Sequence, residues 1–456
     1  MSSDLDRRSF LKGTALAGLG AGLGLGSAPA GAAATVPREP VPTAYAAPGG
    51  FSAPALPLVR LGLVGVGLQG GGHVENFLKI DGVEIVALAD IDAARAEEVA
   101  SWVVAAGRKK PVLYTRGEHD FLRLVERDDL DLVLTATPWE WHVPVCVAAM
   151  NAGKHAATEV PAAYTVDGCW ELVETAERTL RHCVMLENCC YGRSEMMVLK
   201  MVRSGLLGEL LHAEGAYIHD LRAIKLDTKN EGLWRWQHSL TRNGNLYPTH
   251  GLGPVAQCLD INRGDAFDYL VSMSSPARGL GAWAREHLPA GDPRKGLDFV
   301  LGDMNSTLIK TQRGRTILVQ HDTTTPRPYS RLNLVQGTRG TFSGYPDKIY
   351  VEGRTPTHAW EPIEAYRAEF DHPLWAANHA AAAGAGHGGM DFMEDFRLIA
   401  ALRAGSPMDM DVYDAAAWSV VCELSERSVA ERSQPQAVPD FTRGRWPLRT
   451  PLGIVS

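Results

Sequence analysis

Two groups of residues in this chain have the types and spacing that chemistry needs. The first is Gly65-Val66-Gly67-Leu68-Gln69-Gly70, set between the apolar run RLGLVGV and the amphipathic stretch HVENFLKI. Glycines at these points permit a tight turn, close approach of a pyrophosphate and strand–helix contact, with a helix N-terminus facing the anion. The next strand, GVEIVALAD, ends at Asp90, about 20 residues past the last glycine, where an acid binds ribose hydroxyls and favours NAD over NADP. Asp92 is the rival acid and reads as a helix cap. The second group is GLWRWQHSLTRNGNLYPTHGLGP, residues 232–254, which gathers Arg235, Tyr247 and His250 ahead of a glycine-rich helix start. Tyr247 and His250 are three apart, so on one helical turn they face the same cavity. A neutral histidine, with a reference pKa of about 6.5, accepts a proton near neutral pH. A phenol, at about 10, does so only beside positive charge or hydrogen-bond donors.

The elements that position these groups follow from the pattern. Strand, glycine turn and helix alternate from Val59. They continue through FLRLVERDD, the strand DLDLVLTATP, the segment WEWHVPVCVAAMNAG, KHAATEVPAAYTVDGCWELVETAER and the strand HCVMLENCCYG. Trp139, Glu140, Trp141 and His142 begin directly after a strand's carboxyl end, where α/β sheets bind ligands. Beyond residue 187 the pattern turns to α+β. LLHAEGAYI, FDYLVSMSS, NSTLIKTQRG, RTILVQHDT and RLNLVQGTRGTFSGYPDKIYVEG read as an antiparallel sheet. MDFMEDFRLIAALRAG and DVYDAAAWSVVCELSERSVA read as closing helices. The expected fold is α/β: an N-terminal Rossmann dinucleotide-binding domain over 58–186, then an α+β domain with a mostly antiparallel sheet over 187–456, for substrate and oligomerisation.

At 456 residues the chain has ample material for two such domains. Lysine and arginine total 45 against 53 acids, for a net charge of −8. That balance, with no basic run, excludes a nucleic-acid partner. The seven cysteines are scattered without a CxxC pair, so neither a disulfide framework nor a metal site is expected. Arg7 and Arg8 precede SFLK and a glycine-rich, weakly apolar run too short for a stable membrane span. That pattern marks residues 1–34 as a Tat signal, recognised by the Tat machinery, which exports folded proteins to the periplasm or beyond. Residues 35–57, rich in proline and alanine, read as a linker.

The ordered set GVGLQG, ALAD, TPWEWH and AGKHAATEVP resembles the Gfo/Idh/MocA oxidoreductases over roughly residues 58–440. Members that act as plain dehydrogenases carry a lysine in an EKP motif. Here Glu159-Val160-Pro161 stands in its place, and valine does no acid–base work. With WEWH, EVP and LYPTHGLGP together, the chain resembles glycoside hydrolase family 109, exported α-N-acetylgalactosaminidases that hold NAD tightly. Carried over by position, the resemblance implies NAD contacts from Gly65, Gly67, Leu68, Gln69, Gly70, Asp90, Trp139 to His142, Glu159, Val160 and Asn188. It implies sugar contacts from Tyr217, Arg235, Tyr247, Pro248, Thr249, His250 and Tyr329, and a tyrosine beside the sugar at Tyr191.

The resemblance also implies a reaction that uses NAD without consuming it. Oxidation of the sugar C3 hydroxyl acidifies the C2 proton, its loss expels the group at C1, water adds at C1, and C3 is reduced again. One cofactor per subunit, loaded before export, then serves every turnover. His250 is assigned to the C3 hydroxyl proton and Tyr191 to the C2 proton, with Arg235 holding the acetamido carbonyl or a hydroxyl pair. An exported sugar oxidoreductase with tightly bound NAD(P) is the alternative, and a noncatalytic sugar-binding protein the third reading. Glu140 and Glu159 would suit a two-carboxylate glycosidase, but both belong to the NAD half. Trp234, Trp236, His155 and His387 read as structural. A homo-oligomer is expected from the superfamily's open sheet faces.

Overall fold

The computed structural model describes residues 40–453, so the expected signal, residues 1–34, lies outside the described residues. The apolar runs of the first half form β1 (Val59–Val64), β2 (Val83–Ala89), β3 (Val112–Tyr114), β4 (Leu132–Thr135), β5 (His155–Thr158) and β6 (Cys183–Met185). All pair in parallel, in the order β3-β2-β1-β4-β5-β6. Strands β4, β5 and β6 are buried throughout, the uninterrupted apolar pattern of a sheet covered on both faces. The strand order reverses between β1 and β4, which opens a crevice at their carboxyl ends. The glycine turn and Trp139–Trp141 both lie there. Asp92 caps the helix Ala93–Ala105, accepting from the amides of Ala94 and Arg95. This helix and the three-residue β3 are two elements that hydrophobic periodicity left unmarked.

The second half supplies β7 (Leu210–Ile218), β8 (Phe267–Ser274), β9 (Asn305–Thr311), β10 (Thr316–Asp322), β11 (Leu334–Gly337), β12 (Gly340–Ser343), β13 (Lys348–Val351), β14 (Glu361–Pro362) and β15 (Gln436–Ala437). Their order is β14-β13-β12-β11-β7-β10-β9-β8-β15. Only β7 and β10 pair in parallel; the other pairs are antiparallel. Alternate residues of β9 and β10 are buried, so one face of the sheet packs on the core. The helix Thr249–Cys258 presses onto that face with no room to spare. A Cβ on Gly215 would lie 2.1 Å from the Gly251 carbonyl oxygen, and one on Gly251 2.2 Å from the Ala216 amide. This contact fixes His250 against the end of β7.

The expected linker is a packed segment from Val41 onward. Tyr45 stacks on Phe51 at 4.4 Å, both rings are buried, and the Tyr45 hydroxyl donates to the Arg181 carbonyl. The Leu56 amide donates to the Leu402 carbonyl at 3.1 Å. Two aromatic side chains outweigh the proline–alanine composition, and one core runs through both sheets. Among the described residues no helix is long and apolar enough to cross a membrane.

Candidate active site

The glycine turn is built for an anion. Gly65 has φ +81°, and a Cβ there would lie 2.8 Å from the Ala136 carbonyl oxygen, so only glycine fits. A Cβ on Gly70 would collide with the Gly65 carbonyl oxygen at 2.0 Å, which is the strand–helix contact. Gly67 is the opposite case: a Cβ there meets nothing within 4 Å. It is the N-cap of the helix Leu68–Phe77 and offers no side-chain cap. The first amides are therefore left for a ligand, with open space before them. Arg95 holds the loop from behind, donating to the carbonyls of Val66 (2.8 Å) and Gly67 (2.9 Å), with its guanidinium 4.8 Å from the Trp102 ring. Asp90 stands at the end of β2, accepting from the amides of Val66 and Asp92. Leu68 is exposed at the mouth and Gln69 half-buried beside it. Open amides, glycine clearance and a terminal carboxylate fit a dinucleotide.

The opposite wall divides the predicted WEWH contacts. Trp139 is buried and turns toward the second sheet, 5.8 Å from Tyr247, 5.3 Å from Trp234 and 4.7 Å from His238. Glu140 is exposed, 3.8 Å from His238, and its carboxyl is held below the usual range by that histidine. Trp141 packs against His119 and Phe121 within the nucleotide domain. His142 is fully buried between the carbonyls of Pro161 (2.8 Å) and Thr137 (2.9 Å), and burial pushes its pKa down. It ties the TP turn to the EVP segment rather than meeting a ligand. Val160 is likewise buried in the core.

Glu159 faces a buried relay that sequence reading missed. The His73 ring bonds Glu159 through Nε2 at 2.8 Å and Asp395 through Nδ1 at 2.9 Å, while Asn76 donates to Asp395. Burial opposes charge on the His73 ring, but the carboxylates of Asp395 and Glu159 hold its pKa well above the usual range. Asn188 donates to Asp391 at 2.6 Å and meets His387, which is half-exposed and pulled up by Asp391. His387 thus stands beside an expected NAD contact, not in the core. His155 is buried, accepting from the His182 amide.

The predicted sugar residues converge into one cage. Tyr217 on β7 lies 4.7 Å from Tyr247, 5.2 Å from His250 and 6.2 Å from Tyr329, ring to ring. Tyr247 and His250 are 4.9 Å apart and face each other as their spacing implied. Tyr247, however, precedes the helix, whose N-cap is Pro248. Thr249 is buried in its first turn. Arg235 lies over Tyr247 at 4.8 Å and Trp139 at 5.5 Å, anchored to Glu231 at 2.5 Å. Trp234 borders the cage through Trp139, whereas Trp236 packs in a small separate core with Leu226 and Leu280. Burial pushes the Tyr217 phenol up to about 12, with Arg235 pulling the other way. Burial raises Tyr247 and Tyr329 further. Behind His250 stands Glu187, fully buried, its carboxyl held low by the histidine despite burial. It lies two residues past the end of β6, so its place at a strand's carboxyl end was the available signal.

Tyr191 departs from its expected role. Its hydroxyl donates to Asp409 at 3.0 Å, and Asp409 is clamped by Arg397 at 2.8 and 2.9 Å. Burial and the Asp409 charge push this phenol well up, so it is a poor base with its hydroxyl committed elsewhere. Among the described residues two groups have ligand atoms close enough for a metal, Glu187–Cys189–His250 and His73–Glu159–Glu394. His250 and His73 each already give a ring nitrogen to a carboxylate in these groups.

A parallel-sheet dinucleotide domain joined to a sheet bearing an aromatic, histidine-containing cage defines a Rossmann-type oxidoreductase fold. The model for the oxidoreductase family, NAD-binding Rossmann fold, matches residues 59–187. The model for the glycosyl hydrolase 109 C-terminal domain matches residues 191–448. A glycosyl hydrolase family 109 protein of Shewanella pealeana is 50% identical over 459 residues, covering 99% of each chain. An alpha-N-acetylgalactosaminidase of Shewanella oneidensis is 49% identical over 458 residues with the same coverage. Among solved structures, an NAD binding oxidoreductase from Klebsiella pneumoniae matches with TM-score 0.66 and 18% identity, over 84% of this chain and 99% of its own. An inositol dehydrogenase homolog from Azotobacter vinelandii, complexed with NADH and myo-inositol, matches with TM-score 0.61 and 19% identity, over 84% and 98%. These two show the fold alone. The chain belongs to glycosyl hydrolase family 109. It is a glycosidase built on an NAD-binding domain.

Proposed function

We propose that the protein removes terminal α-linked N-acetylgalactosamine, using one tightly held NAD per chain that is unchanged at the end of each turnover. When bound, the nicotinamide supplies reversible oxidation of the sugar at C3, which labilises the C2 proton and so the bond at C1. The observation that carries the reading is the state of the carboxylates around the cage. Glu187 is committed to His250, Glu231 to Arg235 and Glu159 to His73. Each already pairs with a histidine or an arginine, which speaks against a two-carboxylate mechanism. That arrangement favours a route through the cofactor.

The side chains divide that work. Glu187 is ionised and can only accept, so the His250 proton sits on Nδ1 and Nε2 is left to take the C3 hydroxyl proton. Removal of the C2 proton falls to Tyr217 rather than Tyr191. Tyr217 lies among the cage rings with its hydroxyl bonded to the His219 ring at 3.1 Å, whereas the Tyr191 hydroxyl is turned to Asp409. Arg235 presents a planar donor to the acetamido carbonyl or a hydroxyl pair. Trp139, Tyr247 and Tyr329 supply ring faces for the sugar. The name of the Shewanella oneidensis relative supports the choice of sugar.

The test is incubation of purified protein with an aryl α-N-acetylgalactosaminide, with no NAD and no electron acceptor added. Release of the phenol is expected; net nicotinamide reduction instead would replace the hydrolase by a sugar oxidoreductase. We also propose that the chain is exported folded through its twin arginines, Arg7 and Arg8, with the cofactor loaded beforehand.

A further inference from the structure

Beside the cage lies a cavity of ≈ 500 Å³ that none of the assigned roles uses, lined among others by Arg193, Arg331, Tyr345, Asp347, Trp375 and His387. Arg331 joins it to the cage. Arg331 donates to the Tyr329 hydroxyl at 3.0 Å, and its guanidinium lies 5.7 Å from the Tyr329 ring and 5.5 Å from that of Tyr345. The two rings are 5.9 Å apart. A molecule whose terminal ring occupied the cage would reach this cavity past Tyr329.

The lining is polar but electrically matched. Arg331 pairs with Glu195, Arg193 with Asp371 through both nitrogens, and His387 with Asp391 at 2.9 Å. Asp347 has no cationic partner and accepts from the Ser194 hydroxyl. Among the described lining residues each cation thus faces an acid, although the buried Arg331 Nε carries no hydrogen bond, and Asp347 adds an acidic charge. Tyr345 leaves 38% of its surface open, a large ring face held in place by Arg331. Fixed donors and acceptors beside an open aromatic face suit a hydroxylated ring.

We propose that this cavity binds the leaving group, the sugar to which the terminal residue is attached, and that it favours neutral over anionic leaving groups. The leaving-group role rests on the glycosidase reading; the sugar-binding role stands on the cavity alone. Two variants test it, Tyr345→Ala and Arg193→Ala, against an aryl α-N-acetylgalactosaminide and a neutral oligosaccharide with the same terminal linkage. Melting curves confirm folding of each. KM for the oligosaccharide should rise about tenfold, or about 1.4 kcal/mol, with the aryl glycoside unchanged. The wild type should also prefer the neutral oligosaccharide to one sulfated on the penultimate sugar. Equal effects on both substrates, or none, overturn the proposal. Calorimetric titration with the free neutral disaccharide separates the two readings. Binding that weakens in Tyr345→Ala, in a protein that releases no phenol, keeps the sugar site and removes the hydrolase. Phenol release with no disaccharide binding removes the site alone.

Discussion

His250 Nδ1 and Glu187 Oε1 are 2.7 Å apart, and Glu187 is fully buried behind the ring. A carboxylate in that position orients the imidazole, so the pair acts as one unit with Nε2 as its working atom. His250→Ala should lower kcat by at least about 10²-fold while bound NAD is retained. Glu187→Gln keeps an acceptor for Nδ1 but removes the charge, so kcat should fall less than in His250→Ala. An undiminished rate in His250→Ala would remove the pair from the scheme. An undiminished rate in Glu187→Gln would make the glutamate a packing residue.

The two tyrosines make opposite predictions. Tyr217 sits in the cage with Arg235, whereas the Tyr191 hydroxyl is bound to Asp409. In deuterated water, exchange at sugar C2 should be lost in Tyr217→Phe and persist in Tyr191→Phe. The reverse pattern would return proton removal to Tyr191.

These pairs mark how far the sequence could be read. The placement of Gly65, Gly67, Gly70 and Asp90 was legible because it is set locally, by a strand end and the turn that follows it. The cage residues were legible through motifs, and the geometry brings Tyr217, Arg235, Tyr247, His250 and Tyr329 together. What was missed or misread depends on distant partners. Asp395 meets His73 across 322 residues of chain, and Asp409 captures Tyr191 across 218. No periodicity encodes where a hydroxyl or carboxylate points once remote helices return. The supposed linker failed for a related reason, since Tyr45 and Phe51 find their partners only in the folded core.

The glycine turn separates folding from cofactor retention. Gly70→Ala would place a methyl 2.0 Å from the Gly65 carbonyl oxygen, so both the melting temperature and NAD content should drop. Gly67→Ala meets no protein atom within 4 Å, so its melting temperature should hold while the methyl intrudes on the pyrophosphate. Nicotinamide released on denaturing the gel-filtered protein reads the outcome. Full retention in Gly67→Ala would move the pyrophosphate elsewhere.

The Asp395–His73–Glu159 relay should give stability a pH signature. The folded-state pKa of His73 is raised above its ordinary 6.5. Its contribution is therefore complete below about pH 6.5 and lost as pH rises through the folded value. Glu394 and Asp395 also face this cluster and are pushed up mainly by burial, so the contribution must be read as a difference. The melting-temperature gap between wild type and His73→Gln should narrow from pH 6.5 to pH 9. A constant gap would mean that the ring contributes packing rather than charge.

The outer face of the second sheet bears on assembly. Met273 on β8 is 67% exposed and Leu308 on β9 43%, with Tyr269 and Leu211 also open. In the register of these strands Leu308 lies between Val271 and Leu318, both half-buried, so the apolar residues are contiguous across three strands. Exposed apolar surface of this kind suits an interface, and a twofold pairing would bury each copy's patch on the other. Leu308→Asp should convert a dimer or larger assembly to monomers in light scattering. Because Leu308 points away from the cage side, aryl glycoside hydrolysis per chain should persist. A wild-type protein that is monomeric at all concentrations tested would leave the patch without this role.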